Sequence, residues 1–588
     1  MVYDIKVSLA QIEVKTGDII GNTERIKESI NKAISDKSDI IVFPETAITG
    51  YCCGSLFNND FFIKHNLRVL NDIAKATPKN LHIFIGFVDF KGLRKDGIPE
   101  ISNSVAILND GKIIYTYDKQ FMANGNHHED KKYFLPGTRT TVAEITIKDQ
   151  VIKVGTPICE DVWSQDHVRN IPSEMKSLGA EMLVVCNQSY FTIGKQITRD
   201  TMYSDHVKNL KIPIIQVNAV GVGDIVKNII IFDGGSSTYL HEEHVFGTDV
   251  KMLSLDRFKP DYKSFNLNQY NKHNNVLEKY DEIFKCLVYT QQEFFKNIGI
   301  KNAQVHLSGG LDSSIVACIV KEAMGSENTI FITNPTTCNS KSTKDFAKYT
   351  ADKLGVKLYW NQFESSYQTL LNSFETGISE TVNPIVKSTF HAVGRTVQGL
   401  AAANHFKSGI VATGNFVENI LGFCNFHDIG SIGTMSIIGD LTKIECYKLA
   451  KWLNEVYYKD VIIPEELYNG KFAPMAELPD TDGKADPFDY WVVSGICEDL
   501  IRNRKSKYQI VEEFEKKSLI HDQYPNDFDG KSIYDRITLE KFSEEVARCC
   551  KLMRISVFKA AQHAPNVLLN GRSRGFSNRE TIINHYIY

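Results

Sequence analysis

Long hydrophobic runs are missing from this 588-residue sequence. No apolar run reaches the roughly 18 residues that a membrane-spanning helix needs. The first residues, MVYDIKVSLAQIEV, also lack the basic segment followed by an apolar segment that marks a secretory signal. We therefore expect a protein that does not span a membrane and has a cytoplasmic location.

Cysteine is sparse and net charge is small. The chain has 12 cysteines, with adjacent pairs at Cys52-Cys53 and Cys549-Cys550 and no CxxC spacing, which argues against a disulfide framework or a structural zinc site. A formal net charge of -4 gives no general attraction to nucleic acid or to an anionic membrane. The partners expected are therefore small molecules that are recognised locally.

The chain is too long for one hydrophobic core, and its 43% hydrophobic and 23% charged residues are near globular averages. We find no repeat and no low-complexity tract. Strand-like and helical runs alternate to about residue 256, a polar stretch follows at 257–275, and β-α alternation resumes at 276–588. This pattern predicts an α/β protein in which a linker joins a sheet covered by helices to a doubly wound parallel sheet.

Three β-like runs in the first domain end in reactive side chains: DIIVFPE at Glu45, KIIYTYDK at Lys119 and VGTPICED at Cys159. The ends of strands are where α/β proteins gather catalytic groups. A thiol can attack an amide carbonyl, a carboxylate can take its proton, and an ammonium can stabilise the thiolate and the developing oxyanion. Each residue alone would usually be structural, but together they predict a cysteine amidase.

The sequence motifs around these residues, FPE-x(4)-GY, DK and ICED-x-W, resemble those of the nitrilase superfamily. That resemblance implies an α-β-β-α sandwich with Glu45, Lys119 and Cys159 as the catalytic residues. The stretch NQSYFTIGK resembles the glutamine-binding segment of NAD synthetase amidase domains, which places Ser189 and Lys195 on glutamine; the alternative is a polar loop. Relatives usually carry Tyr in place of Gly125, and their Asp-Glu pair corresponds to Glu129-Asp130.

The second domain carries VHLSGGLDSS (305–314), a glycine-rich turn between a strand and a helix. Backbone N-H groups of such a turn and the helix N-terminus bind phosphate oxygens, and an aspartate there can reach them through Mg²⁺. The run resembles the PP-loop of ATP pyrophosphatases, which implies cleavage of ATP to AMP and pyrophosphate. The residues predicted to bind ATP are His306, Leu307, Ser308, Gly309, Gly310, Leu311, Asp312, Ser313 and, in a second motif, Thr413.

That second motif, IVATGNFVEN (410–419), resembles the TGN-x-x-E block of NAD synthetases. By this resemblance Glu418 contacts the dinucleotide substrate or joins Asp312 on Mg²⁺. The resemblance also assigns Thr389, Glu418, Asp440, Lys443 and Lys559 to binding of nicotinic acid adenine dinucleotide. Of the family's acceptor-binding run, which falls here on Thr389, His391, Val393 and Arg395, only the last arginine is kept.

A nitrilase-like domain in front of a PP-loop domain is similar to the glutamine-dependent NAD synthetase family. The resemblance implies that glutamine is hydrolysed, that its ammonia passes through a channel, and that ATP-adenylated nicotinic acid adenine dinucleotide is amidated to NAD. It also implies a homo-oligomer formed through the synthetase domains. The alternatives are amidation of another carboxylate such as nicotinic acid mononucleotide, a regulatory nucleotide-binding protein, and a stand-alone nitrilase with an inert second domain.

Overall fold

The protein is described by a computed structural model that covers residues 4–125, 127–240, 251–267, 276–424, 427–475, 477–479, 486–560 and 562–571. The chain divides into two compact units. The first unit comprises residues 1–225 and 230–279, and the second comprises residues 226–229 and 280–588. Within the described ranges no helix is both long and apolar enough to cross a membrane.

Strands and helices of the first unit alternate as the sequence predicts. The strands are β1 (Lys6–Gln11), β2 (Ile40–Val42), β3 (His82–Leu93), β4 (Pro99–Asn109), β5 (Lys112–Asp118), β6 (Ala143–Ile147), β7 (Gln150–Gly155), β8 (Met182–Asn187), β9 (Ile214–Asn218), β10 (Val220–Ile225), β11 (Asn228–Asp233), β12 (Ser237–Leu240), β13 (Lys251–Ser254) and β14 (Asp261–Asn266). The helices are α1 (Ile19–Ser35), α2 (Asp60–Ala76), α3 (Asp130–Tyr133), α4 (Ile171–Ser177) and α5 (Lys195–Leu210).

Two six-stranded sheets form the centre of this unit, in the orders β14-β1-β2-β3-β4-β5 and β13-β12-β9-β8-β7-β6. Side chains of both sheets share one core cluster, with Leu9 and Val42 from the first and Val184 and Ile215 from the second. Helices α1 and α2 pack on the first sheet, and α4 and α5 pack on the second. The predicted α-β-β-α sandwich is confirmed.

The predicted linker at 257–275 differs from the structure. Residues 261–266 form β14, which pairs antiparallel with β1 from Lys6↔Asn266 to Gln11↔Asp261. The first compact unit extends to Lys279 instead of ending at 256, and residues 268–275 lie outside the described ranges. Because β14 is an edge strand, it carries the charged and polar residues that made this stretch resemble a linker.

The second unit contains a parallel sheet surrounded by helices. Its strands are β15 (Asn302–His306), β16 (Thr329–Thr333), β17 (Leu358–Trp360), β18 (Ser408–Ala412), β19 (Met435–Ser436) and β20 (Asn566–Val567). Its helices are α6 (Lys279–Asn297), α7 (Leu311–Met324), α8 (Lys341–Leu354), α9 (Glu364–Ile378), α10 (Pro384–Phe406), α11 (Phe416–Leu421), α12 (Lys443–Trp452), α13 (Tyr490–Ile501), α14 (Lys507–Glu515), α15 (Ile533–Arg536), α16 (Leu539–Ile555) and α17 (Val557–Ala560).

These six strands follow one another in the order β20-β19-β18-β15-β16-β17. The pairs β15-β16 and β15-β18 are parallel, with Ala303 opposite Thr329 and Gly409. The chain therefore builds the sheet outward from β15 in one direction and then returns to β18 on its other side. This reversal confirms the doubly wound fold and creates a crevice at the carboxyl ends of β15 and β18, where such sheets bind ligands.

Candidate active sites

The first site lies at the carboxyl ends of strands in the first unit, where one buried ammonium is held by two carboxylates. Lys119 Nζ donates to Glu45 Oε1 and to Asp130 Oδ2, each at 2.7 Å, and only 1% of the lysine side chain is exposed. Burial alone would lower the pKa of Lys119, but Asp130 and Glu45 raise it well above its usual value. The lysine is therefore a permanent cation in this site.

Glu45 is fixed from three sides. Asn103 Nδ2 donates to Oε1 at 2.6 Å, and the Gln188 backbone N-H donates to Oε2 at 2.9 Å. Gly86 passes so close that a Cβ atom there would lie 2.5 Å from the Glu45 Cα atom. Residues of neighbouring strands thus fix the orientation of the Glu45 carboxylate, and a side chain at residue 86 would displace Glu45.

Cys159 begins a 3-10 turn, Cys159–Val162, and adopts a left-handed backbone conformation with φ of 43°. Such a conformation is strained for a residue with a Cβ, and strain of this kind recurs at active sites. Burial raises the pKa of Cys159 well above its usual value, and nearby Glu45 raises it further, whereas Lys119 and Lys195 oppose the change. The resting group is a thiol, so it must lose its proton during attack.

One buried carboxylate joins the cysteine turn to the lysine loop. Asp161 Oδ1 accepts the backbone N-H groups of Gln120 at 3.0 Å and Phe121 at 2.8 Å, and Oδ2 accepts that of Ile158 at 3.1 Å. Burial raises the pKa of Asp161 to about 6, although these N-H groups favour its ionised form. Asp161 therefore holds the residues after Lys119 and the residue before Cys159 in one fixed arrangement.

The two residues predicted to bind glutamine lie in the same region. Ser189 is buried, and its backbone N-H donates to Asn218 Oδ1 at 2.9 Å. Lys195 Nζ donates to the Tyr190 carbonyl at 3.0 Å and lies 4.4 Å from the centroid of that ring. Burial, followed by the charge of Arg199, lowers the pKa of Lys195 to about 8. Lys195 is therefore an ammonium at neutral pH, but it loses its proton at a lower pH than an ordinary lysine does.

Sequence reasoning did not assign a role to Asp130. The structure places its carboxylate on Lys119, and Tyr51 donates its hydroxyl to the other oxygen. The available signal was the Glu129-Asp130 pair, which falls where relatives carry an acidic pair.

The second site lies in the crevice between β15 and β18. The glycine-rich turn follows β15 directly, and Gly309 has a left-handed φ of 86°. A Cβ atom on Gly309 would lie 1.9 Å from the Thr343 carbonyl oxygen of α8, so only glycine fits. Ser308 and Ser313 share a hydrogen bond of 3.0 Å across the turn.

A cavity of about 240 Å³ opens beside this turn, and a second cavity of about 200 Å³ adjoins it. Both include Ser308, Arg395 and Thr413. Arg395, the position kept from the family's acceptor-binding run, therefore reaches both cavities. Predicted residues that line the first cavity are Ser308, Gly310, Leu311, Asp312, Ser313, Thr413, Glu418 and Lys443; those that line the second are His306, Leu307, Ser308 and Thr413.

Two carboxylates approach one lysine in the first cavity. Lys443 Nζ lies 2.5 Å from Asp312 Oδ2 and 3.5 Å from Glu418 Oε1, and Asn415 Nδ2 also donates to Asp312 Oδ2 at 3.2 Å. Burial raises the pKa of Glu418 to about 8, although Lys443 opposes the change. Asp312 Oδ1 is buried without a hydrogen-bond partner. The spare carboxylate oxygen can bind a cation, and the Lys443 ammonium can attract a phosphate.

Three residues predicted to bind the dinucleotide lie elsewhere. Asp440 is buried and accepts the backbone N-H groups of Leu569 and Asn570, each at 2.8 Å. Thr389 is exposed on α10 and donates to the Ile385 carbonyl. Lys559 Nζ donates to the Gly422 carbonyl at 2.9 Å and to that of Cys424, a residue at the rim of the first cavity.

Comparisons with known proteins match the two parts of the chain to two families. The model of the carbon-nitrogen hydrolase family matches residues 6–244, and that of the NAD synthase family matches residues 284–523. The chain is 25% identical to a glutamine-dependent NAD(+) synthetase of Thermotoga maritima, covering 99% of each chain. It is 26% identical to one of Xanthomonas campestris, covering 99% of this chain and 98% of that one.

Similarity in fold extends over the full length. A solved glutamine-dependent NAD+ synthetase of Acinetobacter baumannii, in complex with ADP, matches with a TM-score of 0.71 at 23% identity, covering 99% of each chain. Residues 6–244 thus form a carbon-nitrogen hydrolase domain and residues 284–523 an NAD synthase domain, the combination that identifies the glutamine-dependent NAD(+) synthetase family.

Proposed function

We propose that the protein makes NAD from nicotinic acid adenine dinucleotide, ATP and glutamine. The proposal is carried by two features of one chain. Lys119 contacts Glu45 in a buried site near Cys159, and a glycine-rich turn that resembles an ATP pyrophosphatase loop follows β15. Each site agrees with the family of its own domain, and curated relatives with this activity match the chain over almost its whole length.

In the first site, the Cys159 thiol attacks the side-chain amide of glutamine while Glu45 accepts the thiol proton. Glu45 then donates that proton to the departing nitrogen, which leaves as ammonia and gives a glutamyl thioester. Lys119 stabilises the oxyanion that forms in each step. Water, deprotonated by Glu45, opens the thioester and releases glutamate and the thiol. We place Ser189 and Lys195 on the glutamine, with the Lys195 ammonium facing the α-carboxylate.

In the second site, the carboxylate of the acceptor attacks the α-phosphorus of ATP, and pyrophosphate leaves. Ammonia then attacks the carbonyl of the acyl-adenylate, and AMP leaves with formation of the amide. Backbone N-H groups of residues 308–310 and the N-terminus of α7 are suited to bind the phosphates. Ammonia must reach this site without protonation, so we propose that it travels through the protein instead of through bulk water.

We also propose that ATP enters with Mg²⁺. Within the part of the chain that the structure describes, no group of three or more His, Cys, Asp or Glu side chains forms a metal site by itself. Magnesium bound with a nucleotide needs only one or two protein carboxylates, because phosphates and water supply its other ligands. The unpartnered Asp312 Oδ1 and the nearby Glu418 fit this requirement. The ion would neutralise charge on the phosphates.

A homo-oligomer formed through the synthetase domains is part of the proposal. Helices α9 and α10 pack together and expose apolar side chains at helical spacing, Leu370, Phe374 and Ile378 on one and Ile385, Val397 and Leu400 on the other. Exposed apolar stripes of this kind mark interaction surfaces. We expect light scattering to give a mass of more than one chain for the wild type. Phe374→Asp should reduce this mass, whereas the control Ile20→Asp, at an exposed position of α1, should not. A monomeric wild type would contradict the proposal.

We further propose a cytoplasmic location. All 12 cysteines are free thiols. Six of the buried ones lie in helices of the second unit, at Cys286, Cys318, Cys446, Cys497, Cys549 and Cys550. Free thiols in such number are typical of a reducing compartment. Cell fractionation of the tagged full chain tests this directly.

The decisive experiment is a product assay with ATP, Mg²⁺ and glutamine. The expected result is NAD, AMP and pyrophosphate in equal amounts from nicotinic acid adenine dinucleotide. Nicotinic acid mononucleotide is the competing acceptor, because the acceptor-binding run retains only Arg395. Failure of the dinucleotide to give NAD and pyrophosphate would overturn the proposal, and turnover of the mononucleotide alone would replace it.

A further inference from the structure

A chain of hydrogen bonds extends from the catalytic lysine to a histidine at residue 128. Lys119 Nζ donates to Asp130 Oδ2, Tyr51 donates its hydroxyl to Asp130 Oδ1, and Tyr51 Oη lies 3.0 Å from His128 Nδ1. Tyr51 has one hydroxyl proton, and the carboxylate takes it. The hydrogen bond between Tyr51 and His128 therefore needs its proton from the imidazole, which fixes Nδ1 as the protonated nitrogen.

The surroundings of His128 keep the imidazole neutral. Desolvation lowers the pKa of His128 to about 3, in spite of nearby Asp130, and the charges of Lys195 and Lys119 add to this effect. For Asp130, burial would raise the pKa, but the charge of Lys119 and the hydrogen bonds from Lys119 and Tyr51 lower it. The carboxylate is thus ionised and the imidazole is uncharged at neutral pH, as the hydrogen-bond pattern requires.

Gly125 makes room for this ring. A Cβ atom at residue 125 would lie 2.9 Å from His128 Cδ2 and 3.5 Å from the Tyr190 hydroxyl. The His128 backbone N-H donates to the Gly125 carbonyl at 3.2 Å, and the imidazole lies against the Tyr190 ring with centroids 4.6 Å apart. The glycine and the histidine therefore depend on each other: the turn places the ring, and only a residue without a side chain leaves space for it.

We propose that His128 is a positioning residue of the amidase site, which acts by donating to Tyr51 and thereby orienting the Asp130 carboxylate that holds Lys119. This inference rests on the proposed glutaminase function. Lys119 must keep its ammonium directed at the oxyanion while its carboxylate partners compete for the same protons. A Tyr51 hydroxyl already engaged by His128 has its remaining direction fixed toward Asp130, so the carboxylate cannot rotate away from the lysine.

The test compares two variants of the full chain with the wild type in glutamine hydrolysis. His128→Phe keeps a ring against Tyr190 but removes the donor, so kcat is expected to fall about 3- to 10-fold, the effect of one lost hydrogen bond. KM for glutamine is expected to change much less, because the lost interaction acts on Lys119 and not on substrate binding. His128→Asn retains an N-H close to Nδ1 and is expected to recover most of kcat.

A double-mutant cycle tests the pairing with Gly125. Gly125→Ala is expected to lower kcat in the wild-type background by displacing the imidazole, and to have little further effect in the His128→Ala background, because the atom it would displace is gone. Additive effects of the two substitutions would show that Gly125 acts independently of the ring.

The outcomes separate this role from the function on which it rests. A wild-type chain that releases no ammonia from glutamine would overturn the proposed function together with the role. A wild-type chain that does so, with His128→Phe retaining its kcat, would show that the ring only fills space and would overturn the role alone. An increase in KM with unchanged kcat would assign His128 to substrate binding instead of positioning.

Discussion

At the scale of single residues, the first site depends on how charge is distributed around one buried ammonium. Lys119 contacts two carboxylates and lies close enough to Cys159 to attract its thiolate when that forms. Glu45 must be free to accept a proton during catalysis, and it temporarily loses its charge when it does so. Asp130 then remains as the negative partner of Lys119, which keeps the ammonium in place through the step.

Asp130→Asn removes this second charge. We expect a loss of roughly 1.5–3 kcal/mol in the free energy of unfolding, because a buried hydrogen bond between charged groups is lost while Glu45 still compensates the ammonium. Glutamine hydrolysis should fall with it. The matched control is Glu129→Gln, since Glu129 lies next in sequence but pairs with the exposed Lys132 at 3.2 Å. Equal stability of the two variants in urea unfolding would contradict the proposed role of Asp130.

Lys195 should give glutamine use a characteristic pH dependence. Its pKa is lowered to about 8, so its ammonium is present below that pH and is lost as the pH rises through it. If the ammonium binds the glutamine carboxylate, kcat/KM for glutamine falls above pH 8, approaching about tenfold per pH unit. Lys195→Arg should remove this dependence because arginine stays charged.

The control for this pH profile is Lys208→Arg, on an exposed turn of the same helix. It should keep the wild-type profile. A profile that is the same in wild type and in Lys195→Arg would show that another group titrates and would remove Lys195 from the glutamine site.

At the scale of elements, the phosphate loop is defined by its contact with α8, the second helix after it in the chain. Gly309 presses against the Thr343 carbonyl of α8, whereas a Cβ atom on neighbouring Gly310 would meet only Ser308 Oγ, at 3.4 Å. Gly310 also has an ordinary negative φ of -82°. Two adjacent glycines of one motif therefore have different structural requirements.

Gly309→Ala should abolish adenylation, because alanine fits neither the left-handed backbone nor the space beside α8. Gly310→Ala should have a much smaller effect. Pyrophosphate exchange with ATP measures this half-reaction, and glutamine hydrolysis reports whether the rest of the chain is folded. Comparable losses in the two variants would indicate that the loop tolerates rearrangement and that its geometry is not set by α8.

Elements also show where prediction from sequence succeeds and where it stops. The strand ends at Glu45, Lys119 and Cys159 were evident because apolar runs end there in reactive residues, and the glycine-rich turn after β15 has a distinctive composition. Strand β14 was missed because the charged residues of an edge strand resemble a linker. Asp440 matches a family motif, but its carboxylate accepts two backbone N-H groups far along the chain, and spacing in sequence does not reveal such a contact.

At the scale of the whole molecule, two chemistries are carried by two compact units. The residues proposed for glutamine hydrolysis belong to the first unit, and those proposed for adenylation belong to the second. The proposed reaction joins them solely through ammonia. Each half can therefore be removed while the other is kept, provided that ammonia is supplied from outside.

Cys159→Ala should abolish NAD formation from glutamine and leave NAD formation from ammonium salts largely intact. Asp312→Asn should stop NAD formation from both glutamine and ammonium salts, while glutamine is still hydrolysed. Product analysis by chromatography measures both reactions in the same samples. Loss of ammonium-dependent synthesis in Cys159→Ala would contradict two separable sites.

Asp161 determines how the first unit would lose its activity if that unit were damaged. Because its carboxylate accepts N-H groups on both sides of the amidase site, the lysine loop and the cysteine turn must open together if they open at all. Partial unfolding of this region would then not produce a weakened glutaminase with a displaced nucleophile. It would instead abolish glutamine use completely and leave free ammonia as the nitrogen source. Damage to the first unit would then change the nitrogen source of the reaction but not its product.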